Sequence, residues 1–112
     1  MKPVNQVYVK FLDNIAGVLS YDEKSELPYK FTYNKNYLSS SRPAVGPNLP
    51  KSSKSHKSKR LFPEFESRLF EGPNQVKYCR DYRIDINDQV TQLAMFGQNI
   101  LHGLSFEAID EK

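Results

Sequence analysis

Gln6-Val7-Tyr8-Val9-Lys10-Phe11, then Leu12-Asp13-Asn14, then Ile15-Ala16-Gly17-Val18-Leu19-Ser20-Tyr21: this stretch decides the fold. Val7, Val9 and Phe11 alternate with Gln6, Tyr8 and Lys10, the period of a strand with one buried face. Asp13-Asn14, with Gly17 close behind, supplies turn signals, and Ile15–Tyr21 reads as the returning strand of a β-hairpin. Asp22-Glu23-Lys24-Ser25 makes a further polar turn. Tyr29-Lys30-Phe31-Thr32-Tyr33 alternates again, as a third strand of an antiparallel meander. Asn34–Leu38 allows one helical turn. At the far end, Ile100-Leu101-His102-Gly103-Leu104-Ser105-Phe106 reads as a closing strand.

Between these strands the period changes. Phe62, Phe65, Leu69 and Phe70 fall at i, i+3, i+7 and i+8, a stripe that predicts an amphipathic helix over 61–70. Gly72 ends that helix and Pro73 starts the next, on which Val76, Cys79 and Tyr82 form a weaker stripe. Asp85 or Asn87 can cap a third helix carrying Val90, Leu93, Ala94 and Phe96, with Gly97 just past its end. Strands, then helices, then a strand predict an α+β fold. We expect an antiparallel sheet of about four to six strands with two or three helices on one side.

The chain has 112 residues, which suits one domain over 1–112. No run approaches the roughly 20 apolar residues that span a bilayer, and residues 1–5 lack the apolar core of a signal peptide. A single cysteine, Cys79, excludes an internal disulfide framework and fits a reducing cytoplasm. Residues 39–60 are rich in serine and proline and read as a mobile basic loop, with an edge strand possible only near Ala44-Val45. Lys51, Lys54, Lys57, Lys59 and Arg60 stand there without an acid. Of the chain's 16 cations five fall in residues 51–60, so the remaining 11 face all 13 acids and the rest is net −2. A DNA-gripping surface spreads cations over a folded face, so direct nucleic-acid binding is not the expected role.

Catalytic patterns are missing. The five glycines are scattered and form no phosphate loop, and no kinase signature is present. His56 and His102 lack ligand spacing, Cys79 reads as a buried thiol, and Glu64, Glu66 and Glu71 around Arg68 read as a solvated helix face. The sequence implies no catalytic residue, metal or cofactor. The aromatic stripe has two readings: core packing, or an apolar patch with Phe62 or Phe65 as the anchor for a partner. On the second reading Leu61, Phe62, Phe65, Arg68 and Leu69 form the partner surface. Lys51, Lys54, Lys57, Lys59 and Arg60 then add a secondary electrostatic contact.

The order of these features resembles the N-terminal subdomain of the HipA family of serine/threonine kinase toxins. Gly17-Val18-Leu19 matches the family's hairpin. Phe31-Thr32-Tyr33, Leu61-Phe62-Pro63 and Leu69-Phe70-Glu71-Gly72-Pro73 follow in order, and Leu93-Ala94-Met95-Phe96-Gly97 leads to Gly103-Leu104-Ser105-Phe106. The likeness spans about 6–107, with Phe70 where the family commonly has proline and Asn99 in place of aspartate. HipA proteins continue into a kinase core; a free-standing copy of the subdomain resembles HipS, the small antitoxin of HipBST systems. The resemblance implies a HipT-like serine/threonine kinase as partner, with a HipB-like DNA-binding protein in a ternary complex. Two alternatives stand beside it: a non-inhibitory subunit that completes a split kinase, and a nucleic-acid binder acting through 51–60.

Overall fold

The structure is a computed structural model that describes residues 3–98 and 103–109. Five strands form one antiparallel sheet: β1 (Gln6–Phe11), β2 (Asn14–Tyr21), β3 (Tyr29–Tyr33), β4 (Ser55–Ser58) and β5 (Leu104–Ala108), in the order β4-β3-β2-β1-β5. Among the described residues four helices accompany them: α1 (Lys35–Leu38), α2 (Pro63–Glu66), α3 (Gly72–Asp81) and α4 (Gln89–Phe96). The α+β expectation holds, and the family resemblance anticipated the same architecture. Asn99 and the start of the expected closing strand, Ile100–His102, lie outside the described residues.

The hairpin forms for the reason its pattern gives. Val7 pairs with Leu19 and Val9 with Gly17, and Leu19 and Gly17 pair in turn with Phe31 and Tyr33, so every inward side chain lands on one face. A bulge between Val9 and Lys10 leaves Ala16 as an extra residue in β2, and its carbonyl accepts the backbone N–H of Asn34 at 2.7 Å. Asn34 also caps α1, accepting from the backbone N–H of Asn36 through its side chain. Gly17 permits the close approach of β3: a Cβ there would lie 2.2 Å from the Thr32 carbonyl oxygen and 2.8 Å from the Phe31 ring.

The core lies between this face and the helices. Tyr37 stacks on Tyr33, and Phe65 sets its ring edge-on to Phe31 and Phe106. From α4, Val90, Leu93 and Ala94 are buried. Asp88, rather than Asp85 or Asn87, caps α4, its carboxylate accepting from the backbone N–H and the hydroxyl of Thr91. Thr91 in turn bonds the backbone of Val4 and ties the chain's start to this helix. Gly97 caps the other end; its carbonyl accepts from the backbone N–H of Phe106.

Three local expectations are corrected. Residues 39–60 are not a loop throughout: Ser55–Ser58 pair with Tyr29–Thr32 as the edge strand, and Ala44-Val45 form none. The reason is that Val45 and Leu49 are buried core residues, held by Tyr33, whose hydroxyl accepts from the Val45 N–H and donates to the Leu49 carbonyl. The helix expected over 61–70 is one turn, Pro63–Glu66. On α3, Val76 is 50% exposed, while Cys79 and the partly buried Gln75 and Tyr78 face inward.

Candidate partner-binding surface

Segment 61–70 follows directly on β4. Pro63 stands at the first helical position, where its missing N–H costs nothing. The backbone N–H groups of Phe65 and Glu66 both reach the Phe62 carbonyl, closing the single turn. Phe62 and Phe65 therefore sit three apart on one side of that turn, their rings 5.9 Å apart. Leu61, Phe62 and Phe65 are 3%, 5% and 0% exposed. These side chains are core, and the anchor role expected for Phe62 or Phe65 is corrected on that ground. A ring that packs on Phe31 and Phe106 cannot enter a partner without leaving its own fold.

The chain then turns outward. Arg68 donates from Nη1 to the Leu104 carbonyl and lies 5.6 Å from the centre of the Phe106 ring. Its guanidinium fastens 67–70 to β5, and burial disfavours its charged form. Leu69 packs against the core at its edge. Of the five residues expected at the interface, Arg68 and Leu69 alone reach the surface.

The exposed aromatic surface begins one residue later. Phe70 stacks on Tyr78 with centroids 4.4 Å apart and meets Phe96 edge-on at 5.2 Å. Tyr78 and Tyr82 both reach Phe96, at 5.8 and 5.5 Å. Three elements contribute: the α2–α3 connection, α3 with its C-cap, and the end of α4. Phe70 is 37% and Tyr82 45% exposed. The i, i+4 spacing of Tyr78 and Tyr82 carried the signal; the weight given to Val76 hid it.

Beneath this platform a buried amide sets how α3 and α4 sit. Gln92, 1% exposed, accepts from the Gln75 amide and donates to the carbonyls of Asp85 and Ile86. Sequence reasoning did not single it out, since a buried glutamine gives no periodic signal. Nearby, burial pushes the Cys79 thiol above its ordinary value, with Asp85 adding to the effect. That thiol is held protonated and is unsuited to attack.

The five cations of 51–60 separate into two groups. Lys51 is structural: Nζ donates to the carbonyls of Ser40 and Arg42, both at 2.8 Å, and lies 5.2 Å from the centre of the Tyr37 ring. Lys54, Lys57, Lys59 and Arg60 are exposed along β4 and its ends. His56 faces the core side, where its Nε2 lies 2.9 Å from the Pro50 carbonyl oxygen. Among the described residues no cluster of His, Cys, Asp and Glu is arranged to hold a metal ion, and no helix is long and apolar enough to cross a membrane.

Comparison with known proteins bears on the whole of this architecture. The solved "N-terminal domain of HipA toxin" superimposes with a TM-score of 0.70 at 22% identity, covering 100% of this chain and 99% of that one. That likeness shows a shared fold. No curated protein matches. The family model described as "HipA N-terminal domain" matches residues 7–107, from the first inward valine of β1 to the last strand. The chain belongs to the HipA N-terminal domain family.

Proposed function

We propose that this protein is an antitoxin of the HipS kind: it binds a HipT-like serine/threonine kinase toxin and neutralises it, with no catalysis of its own. Membership of a family named for a domain of a toxin supports the kinase as partner. The observation that carries the reading is the aromatic platform in which exposed Phe70 and Tyr82 pack on half-buried Tyr78 and Phe96. Large rings in a pre-packed cluster lose little side-chain freedom on docking and remove much apolar area from water. Leu69 and Arg68 border the platform along the chain, while Leu61, Phe62 and Phe65 belong to the core. A HipB-like DNA-binding protein completes the proposed assembly.

The test is kinase activity of the HipT-like partner with and without this protein, together with growth on co-expression. Activity and toxicity fall together if the reading is right. Unchanged activity in a complex that still forms would convert the protein into a structural subunit of a split kinase. Tight DNA binding by the isolated chain, lost on replacing Lys54, Lys57, Lys59 and Arg60, would favour the nucleic-acid reading.

A further inference from the structure

β4 ends the sheet, and among the described residues no strand lies beyond it. The backbone N–H of Tyr33 donates to the Lys54 carbonyl at 2.8 Å, so Lys54 and Tyr33 form a hydrogen-bonded pair. In an antiparallel ladder such pairs alternate with pairs whose groups point away. His56 opposite Phe31 and Ser58 opposite Tyr29 therefore face inward along the ladder, and Ser55 and Lys57 turn their N–H and C=O groups to the free edge.

Charge then says what the edge accepts. Lys57 lies directly across from Lys30, a like-charge pair that disfavours the ladder as it stands. Lys54, Lys59 and Arg60 flank it, and among the described residues none of these five cations enters an ion pair. Glu66 is the acid that borders the adjoining groove, with Lys59, Arg60 and Leu61. Glu64 is turned elsewhere, accepting from the backbone N–H and the side-chain amide of Asn48. Lysines on an edge bar a second copy, because two such edges would bring lysine against lysine. An extended strand carrying carboxylates meets no such barrier: it satisfies the free backbone groups and neutralises the cations.

We infer that the β4 edge, Ser55–Ser58 with Lys30, Lys54, Lys57, Lys59 and Arg60, is a docking site for an extended acidic peptide segment of a partner protein, added to the sheet as a sixth strand. This site is separate from the aromatic platform, and its test needs no kinase. The probe is a blocked peptide alternating valine and glutamate, titrated into the isotope-labelled protein. Binding shifts the amides of Ser55 and Lys57 and slows their hydrogen exchange. The same peptide N-methylated at every residue keeps its charge but has no backbone donor to present to β4, and binds at least tenfold more weakly. The double variant Lys57→Glu with Lys59→Glu loses at least tenfold in affinity while the amides of β3 keep their protection, which shows the fold intact. Equal binding of the N-methylated peptide, or unchanged exchange at Ser55 and Lys57, would overturn the proposal. Tighter binding of a duplex DNA oligonucleotide at these residues would overturn it in favour of a purely electrostatic nucleic-acid site.

Discussion

Single hydroxyls and rings do separable work in this molecule. Tyr33 accepts from the Val45 N–H at 3.1 Å and donates to the Leu49 carbonyl, so one oxygen holds the 45–49 segment against the sheet. Tyr33→Phe keeps the ring and strands two backbone groups, a loss of about 1–3 kcal/mol in unfolding free energy. Chemical denaturation measures it; an unchanged midpoint would mean the segment is held by Leu49 packing alone. The aromatic side chains divide in the same manner. Phe65, fully buried between Phe31 and Phe106, is a stability residue, and Phe65→Ala lowers the unfolding free energy by about 3–5 kcal/mol. On the proposed function, Phe70→Ala removes a half-open ring from the platform and should weaken binding of the proposed kinase partner by about 2–4 kcal/mol, roughly 30- to 1000-fold. Its melting temperature falls far less than that of Phe65→Ala. If Phe70→Ala binds like the parent, the platform is not the interface.

At the scale of elements, α3 ends in a way its sequence does not advertise. The Arg83 N–H bonds the Arg80 carbonyl and the Ile84 N–H bonds that of Cys79, the double bond of a Schellman cap. Arg83 occupies its left-handed position at φ 56°, where glycine is the ordinary residue. Arg83→Gly should raise stability by about 1 kcal/mol, read as a higher melting temperature; a drop would show that the side chain contributes more than its backbone strain costs. The strands were legible because period-two alternation reports a buried face directly: Val7, Val9, Phe31 and Tyr33 all point inward as their spacing requires. The helix over 61–70 was not, because i, i+3, i+7 spacing records distance along the chain and not what interrupts it. Here the bond from Arg68 to Leu104 accompanies the departure from helix after Glu66. The site suffered from the same limit. A sequence pattern that favours burial cannot say which of Phe62, Phe65 and Phe70 fills the core. That is decided by Phe31 and Phe106, from strands far away in the chain. The serine- and lysine-rich β4 was hidden for a different reason: an edge strand with half-exposed faces needs no apolar alternation.

For the whole molecule, the tyrosines couple folding to pH. Tyr29, Tyr33 and Tyr37 are each held above their ordinary value of 10.0, chiefly because burial penalises the phenolate. Cys79 is raised above its ordinary 9.0 by the same cause. All four groups keep their protons in the folded state at a pH where the unfolded chain has begun to lose them. Stability from these shifts is therefore fully present below the unfolded values and is lost as pH rises from them through the higher folded values. Melting temperature should stay flat through neutral pH, begin to fall near about pH 9 as the unfolded thiol ionises, and fall more steeply above about pH 10. The phenolate absorbance of buried Tyr29, Tyr33 and Tyr37 should appear together with loss of the fold. A melting temperature independent of pH through this window would show that the three hydroxyls reach solvent. The inward face of the sheet would then be open rather than closed by α1, α2 and the 45–49 segment.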